Sequence, residues 1–563
     1  MSNKHSIEQE SDIKAHHGAE KPPPEYEIEK MDSSSYHSKR SKNAIGDEED
    51  LESLQHGTHR GLDARHIQMI SLGGAIGTGL FLSSGSSIAE AGPAGALIAY
   101  CVGEMATFMP VSGSFNHYAT RFVEPSLGFA LGWNYWFSVT LKDMMRSFSL
   151  LTNICPPPKA VTIATELAAA ATIIKFWGQI MPDPAWSTIF LVLIVAVNFM
   201  GVRIYGELEY WFALIKILIV IVFIIIGILV AAGAVGGHVI GFEYWKNPGA
   251  FNNGAVGTIS VLLSAGFSFQ GTEIVGITAG EAKNPTKTVP RAIRNTFWRI
   301  IVFYICTIFL IGMCIPYNDE GLTNPDGGAG TASFTLIFQA AGIDVGAHII
   351  NAIVLTSVLS AANSSLYTTS RTLLGLARDG NAPAFLGRVN KYGAPFWAVI
   401  VSSIIGFACV FVSIYSADKA FVWFQNITAV SGFISWAGIG GVHIRFRRAY
   451  VRQGRSIAEL PYTAMAYPFS GLFSCILSIL IVLGQGYDAF TPQFDAVQFC
   501  TKYVGIVPFI LCYVIHKVVT RKKLVALEEV DFETGRVTRF DIEKDAEVDE
   551  HIPRWRRFFN FIA

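Results

Sequence analysis

Charge is scarce in this chain. Of 563 residues, Lys and Arg supply 43 and Asp and Glu 44, or 15% in all, where a soluble globular chain carries about 25%. With hydrophobic residues at 51% and a mean hydropathy of +0.39, that shortage excludes a string of soluble domains and describes a polytopic membrane protein. Basic residues sit in short stretches between apolar runs, so there is no basic domain to meet nucleic acid. Paired cysteines are lacking too. Cys101, Cys155, Cys306, Cys314, Cys409, Cys475, Cys500 and Cys512 stand singly with no C-x-x-C, mostly inside apolar runs, which reads as small packed residues rather than a metal site. There is no H-E-x-x-H, no G-x-S-x-G elbow and no phosphate-binding Gly-Lys-Ser/Thr, so the motifs of an enzyme are missing.

Apolar runs dominate what is present. Residues 1–66 are polar, with Pro22-Pro23-Pro24, Ser33-Ser34-Ser35 and the acidic run Asp47–Asp50; they bury too little to offset ordering entropy and are expected to be a disordered tail. They contain no apolar core of a signal peptide. From 67 to 519, crossings of about 20 residues are expected near 67–90, 94–111, 127–177, 186–200, 211–235, 255–280, 297–316, 334–368, 396–415, 420–441, 467–487 and 496–519. That gives twelve, followed by a charged tail over 520–563.

Loop charge orients them. Basic residues follow the sixth span (Lys283, Lys287, Arg291, Arg294, Arg299), the eighth (Arg371, Arg378, Arg388, Lys391), the tenth (Arg445, Arg447, Arg448, Arg452, Arg455) and the twelfth (Lys517, Arg521, Lys522, Lys523). The alternate loops 178–185 and 488–495 have none, and 317–333 is acidic. The positive-inside rule therefore places both termini and the even loops in the cytosol. This parity requires 127–177 to count as one crossing, although it holds Lys142, Asp143, Arg146 and Pro156-Pro157-Pro158, each costing kilocalories at membrane depth. Removing 139–160 would join Ser138 to Val161 in one helix-like run, and the insert is expected to be a retained intron or a gene-model error. The second span is also short, with only Ala94–Gly103 ahead of Glu104.

Two segments carry the chemistry. The first span contains Gly73-Gly74-Ala75-Ile76-Gly77-Thr78-Gly79-Leu80-Phe81, and the sixth Ser264-Ala265-Gly266-Phe267-Ser268-Phe269-Gln270-Gly271-Thr272-Glu273. Glycine-rich breaks are tolerated in a membrane where they line a cavity, and a half-helix N-terminus suits a carboxylate; close packing through small residues is the bland alternative. Two such breaks five spans apart fit inverted repeats around a midplane site. Glu166, Lys216 and Glu273 are ionisable groups inside spans, candidates for loading and releasing a proton, with snorkelling the alternative for Lys216.

The sequence resembles the fungal amino-acid permeases of the amino acid–polyamine–organocation superfamily, yeast amino-acid transporter branch. The matching residues are Gly73–Phe81, Gly103–Phe108, Phe267–Glu273 continuing through Gly276 to Pro285, Val289–Ile293, Ser360–Ser364 and His443–Phe446. The resemblance implies an all-α polytopic membrane protein of LeuT-like fold: twelve transmembrane helices, as two inverted five-helix repeats plus two extra helices. It implies proton symport of amino acids at the plasma membrane, driven by the proton gradient with no cofactor or metal. It places the substrate's α-carboxylate and α-amino groups in the two breaks, at Ala75, Ile76, Gly77, Thr78 and Gly79 and at Phe267, Ser268, Phe269, Gly271, Thr272 and Glu273. Lys216 matches the fifth-helix lysine that stands where sodium-coupled relatives bind Na⁺, and Glu166 a third-helix glutamate linked to binding or coupling. Two departures stand out: the insert ahead of Glu166 and the short second helix.

The block Phe267–Pro285 resembles permeases for basic amino acids, and His443–Tyr462 resembles broad-range ones equally. A broad-range carrier that includes basic substrates is expected; a narrow basic permease and an amino-acid sensor (transceptor) are the alternatives. An ion channel lacks any filter motif. Lys4, Lys14, Lys21 and Lys30 offer the ubiquitin-ligase machinery acceptors on the tail.

Overall fold

A computed structural model describes residues 61–77, 81, 114–137, 162–178, 180–244, 246–247, 270–271, 273–282, 285–316, 333–340, 342–410, 417–460, 463, 467–490 and 493–533. The second span, the insert, the tail before 61 and the segment after 533 lie outside these residues. So do the candidate site residues Thr78, Gly79, Phe267, Ser268, Phe269 and Thr272.

Among the described residues the α-helices are α1 (Ala64–Ala75), α2 (Ser114–Phe122), α3 (Pro125–Phe137), α4 (Thr162–Ile174), α5 (Asp183–Phe199), α6 (Val202–Ala231), α7 (Ile274–Thr278) and α8 (Pro285–Cys314). They continue with α9 (Ser333–Ala340), α10 (Asp344–Arg378), α11 (Phe396–Val410), α12 (Ala417–Arg452), α13 (Phe469–Gly484), α14 (Ala496–Tyr503) and α15 (Ile506–Thr520). Three stretches are long and apolar enough to cross a membrane: Val202–Ala231, Val345–Arg378 and Gln425–Arg452. α5, α13 and α15 are shorter apolar helices.

α6 shows why such a sequence folds so. Its buried residues Gly206, Glu209, Ala213, Lys216, Val220 and Phe223 recur every three or four positions, one face of a helix. Between them, Leu218, Val222 and Ile225 are apolar and exposed, and α13 likewise turns Leu472, Ile476 and Leu483 outward. Exposed apolar surface of this kind, round a core that holds charge, suits contact with lipid.

Several expected spans differ from the helices observed. The expected span 334–368 is interrupted: α9 ends at Ala340 and α10 begins at Asp344, with Gly342 at φ +70° between them. α10 then runs on to Arg378, so Arg371, expected in a cytosolic loop, lies within the helix and is 1% exposed. α8 and α12 likewise carry on their own turns Lys287 and Arg291, and Arg445, Arg447 and Arg448, residues expected in loops. Hydropathy marks where a helix leaves the hydrocarbon; hydrogen bonding lets the helix continue past that point. The last expected span, 496–519, is divided at 504–505 into α14 and α15.

The flanks of the insert are laid out as neighbouring turns. Trp136 Nε1 donates to Ser402 Oγ at 3.3 Å, and a Cβ on Gly406 would stand 3.3 Å from Ile163. Those α11 positions are one turn apart, about 6 Å. With 139–160 set aside, Ile163 follows Trp136 by five positions, about 7.5 Å of helix. Along α10, Gly132 meets Leu376 and Asn351 Nδ2 donates to the Ile173 carbonyl at 3.2 Å, so α3 and α4 follow one another antiparallel to α10. That is the layout of a single crossing.

The residues after α15 are docked on the protein. Val525 N–H donates to the Val123 carbonyl at 2.9 Å, and Gln453 Nε2 donates to the carbonyls of Leu527, Glu528 and Val530. Phe532 is 1% exposed and packs on Phe122, Phe446 and Tyr450.

Candidate substrate and coupling site

The break in α1 builds the site. The helix ends at Ala75; Ile76 follows in extended conformation (φ −85°, ψ 92°) while its N–H still donates to Leu72 O at 2.8 Å. Its last carbonyls lose their helical partners there. Lys216 of α6 supplies one: Nζ donates to Gly73 O at 2.5 Å, wholly within the protein. A cation at a helix C-terminus also meets the negative end of the helix dipole.

The sixth segment breaks beside it. Gly271 has φ +102°, a backbone that L side chains rarely adopt, and α7 starts three residues later. A Cβ on Gly74 would lie 2.5 Å from Ile274 Cδ1 and 4.0 Å from Gly271 Cα, so the two interrupted segments touch at their breaks. Gln270 Nε2 donates to Thr428 O at 2.6 Å, tying the sixth segment to α12.

Three carboxylates surround these breaks. Glu166 on α4 is 4% exposed; a Cβ on Gly77 would be 3.9 Å from its Oε1, and it lies within electrostatic range of Lys216. Glu273 accepts from Tyr135 OH at 3.0 Å, Trp436 Nε1 at 3.3 Å and Gly271 N–H at 3.2 Å, joining the sixth segment to α3 and α12. The third, Glu209, escaped the sequence reading. It accepts from Ser360 Oγ at 2.7 Å and from Asn363 Nδ2 at 2.6 Å, and Asn198 donates to Asn363 Oδ1 at 2.8 Å. A Cβ on Gly73 would be 3.4 Å from Glu209 Oε2. The available signal was its spacing from Lys216, seven residues or two turns on one helix face; it went unused because the fifth span was taken to start at 211.

The structure therefore gathers Ile76, Gly77, Glu166, Lys216, Gly271 and Glu273 around two touching breaks, with Ala75 as the last residue of α1. Among the described residues, no group of three or more His, Cys, Asp or Glu is placed to hold a metal ion. The arrangement provides a fixed ammonium, two buried carboxylates near it, and free helix-end groups from two broken segments. Those are the parts of a secondary carrier that binds a small zwitterion between discontinuous helices.

Comparison with known proteins defines that class further. The sequence model of the amino acid permease family matches residues 66–148 and 158–528, and the chain belongs to that family. It is 42% identical over 494 residues to the lysine-specific permease LysP of Lactococcus lactis, covering 84% of this chain and 92% of that one. It is 37% identical over 544 residues to the lysine-specific permease of Saccharomyces cerevisiae, covering 92% and 85%. The Lysine/arginine permease CAN1 of Candida albicans is 37% identical over 537 residues, covering 90% and 89%. Among solved structures, a manganese transporter mutant from Eremococcus coleocola aligns with TM-score 0.51 at 12% identity, over 83% of this chain and 95% of that chain. That likeness concerns the fold, which is helical and of the LeuT type. The family match leaves 149–157 uncovered, inside the insert and shorter than it. The protein is an amino-acid transporter of the membrane and not an enzyme.

Proposed function

We propose that the protein imports amino acids together with protons across the plasma membrane, with both termini cytosolic, over a range that includes basic amino acids. The observation that carries proton coupling is the Lys216 ammonium on the Gly73 carbonyl, a resident cation at the break with Glu209 and Glu166 in electrostatic range. A permanent cation at the end of α1 leaves no call for a bound metal ion, and buried carboxylates nearby give a proton somewhere to reside during passage. The main-chain groups of Ala75, Ile76 and Gly77 and of Gly271 receive the α-carboxylate and α-amino groups, with Thr78, Gly79, Phe267, Ser268, Phe269 and Thr272 completing the breaks. Glu273, held by Tyr135 and Trp436, fixes the sixth segment at the site. The count of twelve crossings belongs to the same reading, as does ubiquitin attachment to tail lysines.

A narrow basic permease is the second reading, favoured by relatives named for lysine and arginine. Uptake of labelled lysine and arginine by yeast lacking its own permeases, at acidic and neutral pH, tests both. Acid-stimulated uptake inhibited by unlabelled phenylalanine supports the broad carrier. Uptake blocked only by basic amino acids supports the narrow one, and uptake indifferent to pH sinks the coupling.

A further inference from the structure

An ion pair that the site does not use joins the far end of the sixth segment to α10. Glu281 closes the 3-10 turn Ala279–Glu281 that follows α7. Arg371 Nε donates to its Oε1 at 3.1 Å, with the two side chains 2% and 1% exposed. Tyr367, one turn earlier on α10, donates its hydroxyl to the other Glu281 oxygen, and its ring lies 3.6 Å from the guanidinium carbon. Arg371 also donates to Ser370 Oγ at 3.3 Å, and Arg378, two turns on, is within electrostatic range of Glu281.

The scaffold behind this cluster is rigid. Tyr205 of α6 stacks on Tyr367 with centroids 4.0 Å apart and planes 5° apart, and its hydroxyl donates to Ser364 Oγ at 3.2 Å. The entry to the first segment is fastened to the same point: Leu62 N–H donates to the Glu281 carbonyl at 3.1 Å, and Leu62 bridges Ala282. Both broken segments thus hang on α10 at the end leading into the basic stretch after residue 282, the side that loop charge assigns to the cytosol.

Such a pair is a poor device for mere stability. Desolvating two charges offsets most of their attraction, and apolar residues of similar size would serve as well or better. What a buried pair does is single out one arrangement, because parting it without replacement solvation is costly. The first and sixth segments are broken at Gly77 and Gly271, whereas α10 is one unbroken helix of 35 residues. The joint between them is therefore where two arrangements would differ.

Building on the transport reading, we propose that Glu281, Arg371 and Tyr367 form a latch that holds the cytosolic ends of the first and sixth segments on α10, and that each transport cycle opens it. These are positioning residues; they touch neither break.

Ser364 is 1% exposed beside the latch and reports its state. S364C is made in a chain whose native cysteines are replaced, and inside-out vesicles are treated with a charged, membrane-impermeant methanethiosulfonate. Adding E281Q should raise the labelling rate about tenfold and cut maximal lysine uptake about tenfold while KM changes little; R371K, which keeps the charge but loses the fork, should fall between. Equal labelling with and without E281Q, or unchanged uptake, would overturn the latch. If E281Q is retained inside the cell, the swap E281R/R371E decides. A swap that transports better than either single variant supports the latch, and one no better overturns it. Failure of the wild-type chain to take up any amino acid would count against the transport reading instead, since labelling reports on the latch without substrate.

Discussion

Lys216 carries most of the chemistry that can be assigned to one residue. It occupies a helix-end carbonyl and sits within electrostatic range of Glu209 and Glu166. K216M would leave the Gly73 carbonyl without that donor and two buried carboxylates without their cation. Uptake should then fall on the order of a hundredfold or more, as expected when one partner of a buried charge set is removed; saturation kinetics of labelled lysine at matched surface expression checks it. Glu209 has a different weakness. Ser360 and Asn363 donate to its two separate oxygens, and a glutamine offers a single acceptor. E209Q turns an amide N–H₂ toward a donor and should cost about 1–3 kcal/mol of stability, read as a lower unfolding midpoint in detergent. Lys216 and Glu166 were legible in the sequence because a charge inside an apolar run is conspicuous. Glu209 was not, since it lies where hydropathy places a loop, and Arg371 was misplaced for the same reason.

At the scale of elements, the two breaks were legible and the helix ends were not. Clustered glycines announce a break whatever surrounds them, but a helix that outruns the bilayer carries charges that look like loop. The residues after α15 make the same point: their charges suggest a free tail, yet Phe532 is buried among Phe122, Phe446 and Tyr450. Arg452 and Arg455 add ion pairs to Glu528 and Glu533, at 2.8 and 2.5 Å, which are worth little each at an exposed site. The aromatic insertion therefore does most of the holding of this segment against the α2–α3 turn and the end of α12. F532A should cost about 3–5 kcal/mol, measurable as a lower unfolding midpoint, whereas R452A should change it little.

The whole molecule has one feature that its own packing singles out. Trp136 and Ile163 sit one turn apart on α11, the spacing of a chain without residues 139–160. Charge parity gave the same answer from sequence, because two crossings there would turn every later basic loop outward. A chain lacking 139–160 should reach the cell surface and take up lysine about tenfold faster than the full chain, given the cost of Lys142, Asp143 and Arg146 at membrane depth. Equal uptake by both chains would show that the insert is accommodated, and a processed transcript that keeps these codons would end the retained-intron explanation.

The central claim, an amino-acid carrier that moves its substrate together with protons, is tested most directly by recording external pH while lysine is added to permease-deficient yeast expressing the protein. Alkalinisation that appears with lysine, scales with labelled uptake and vanishes in K216M is the result predicted here. Uptake with no accompanying proton movement would contradict it.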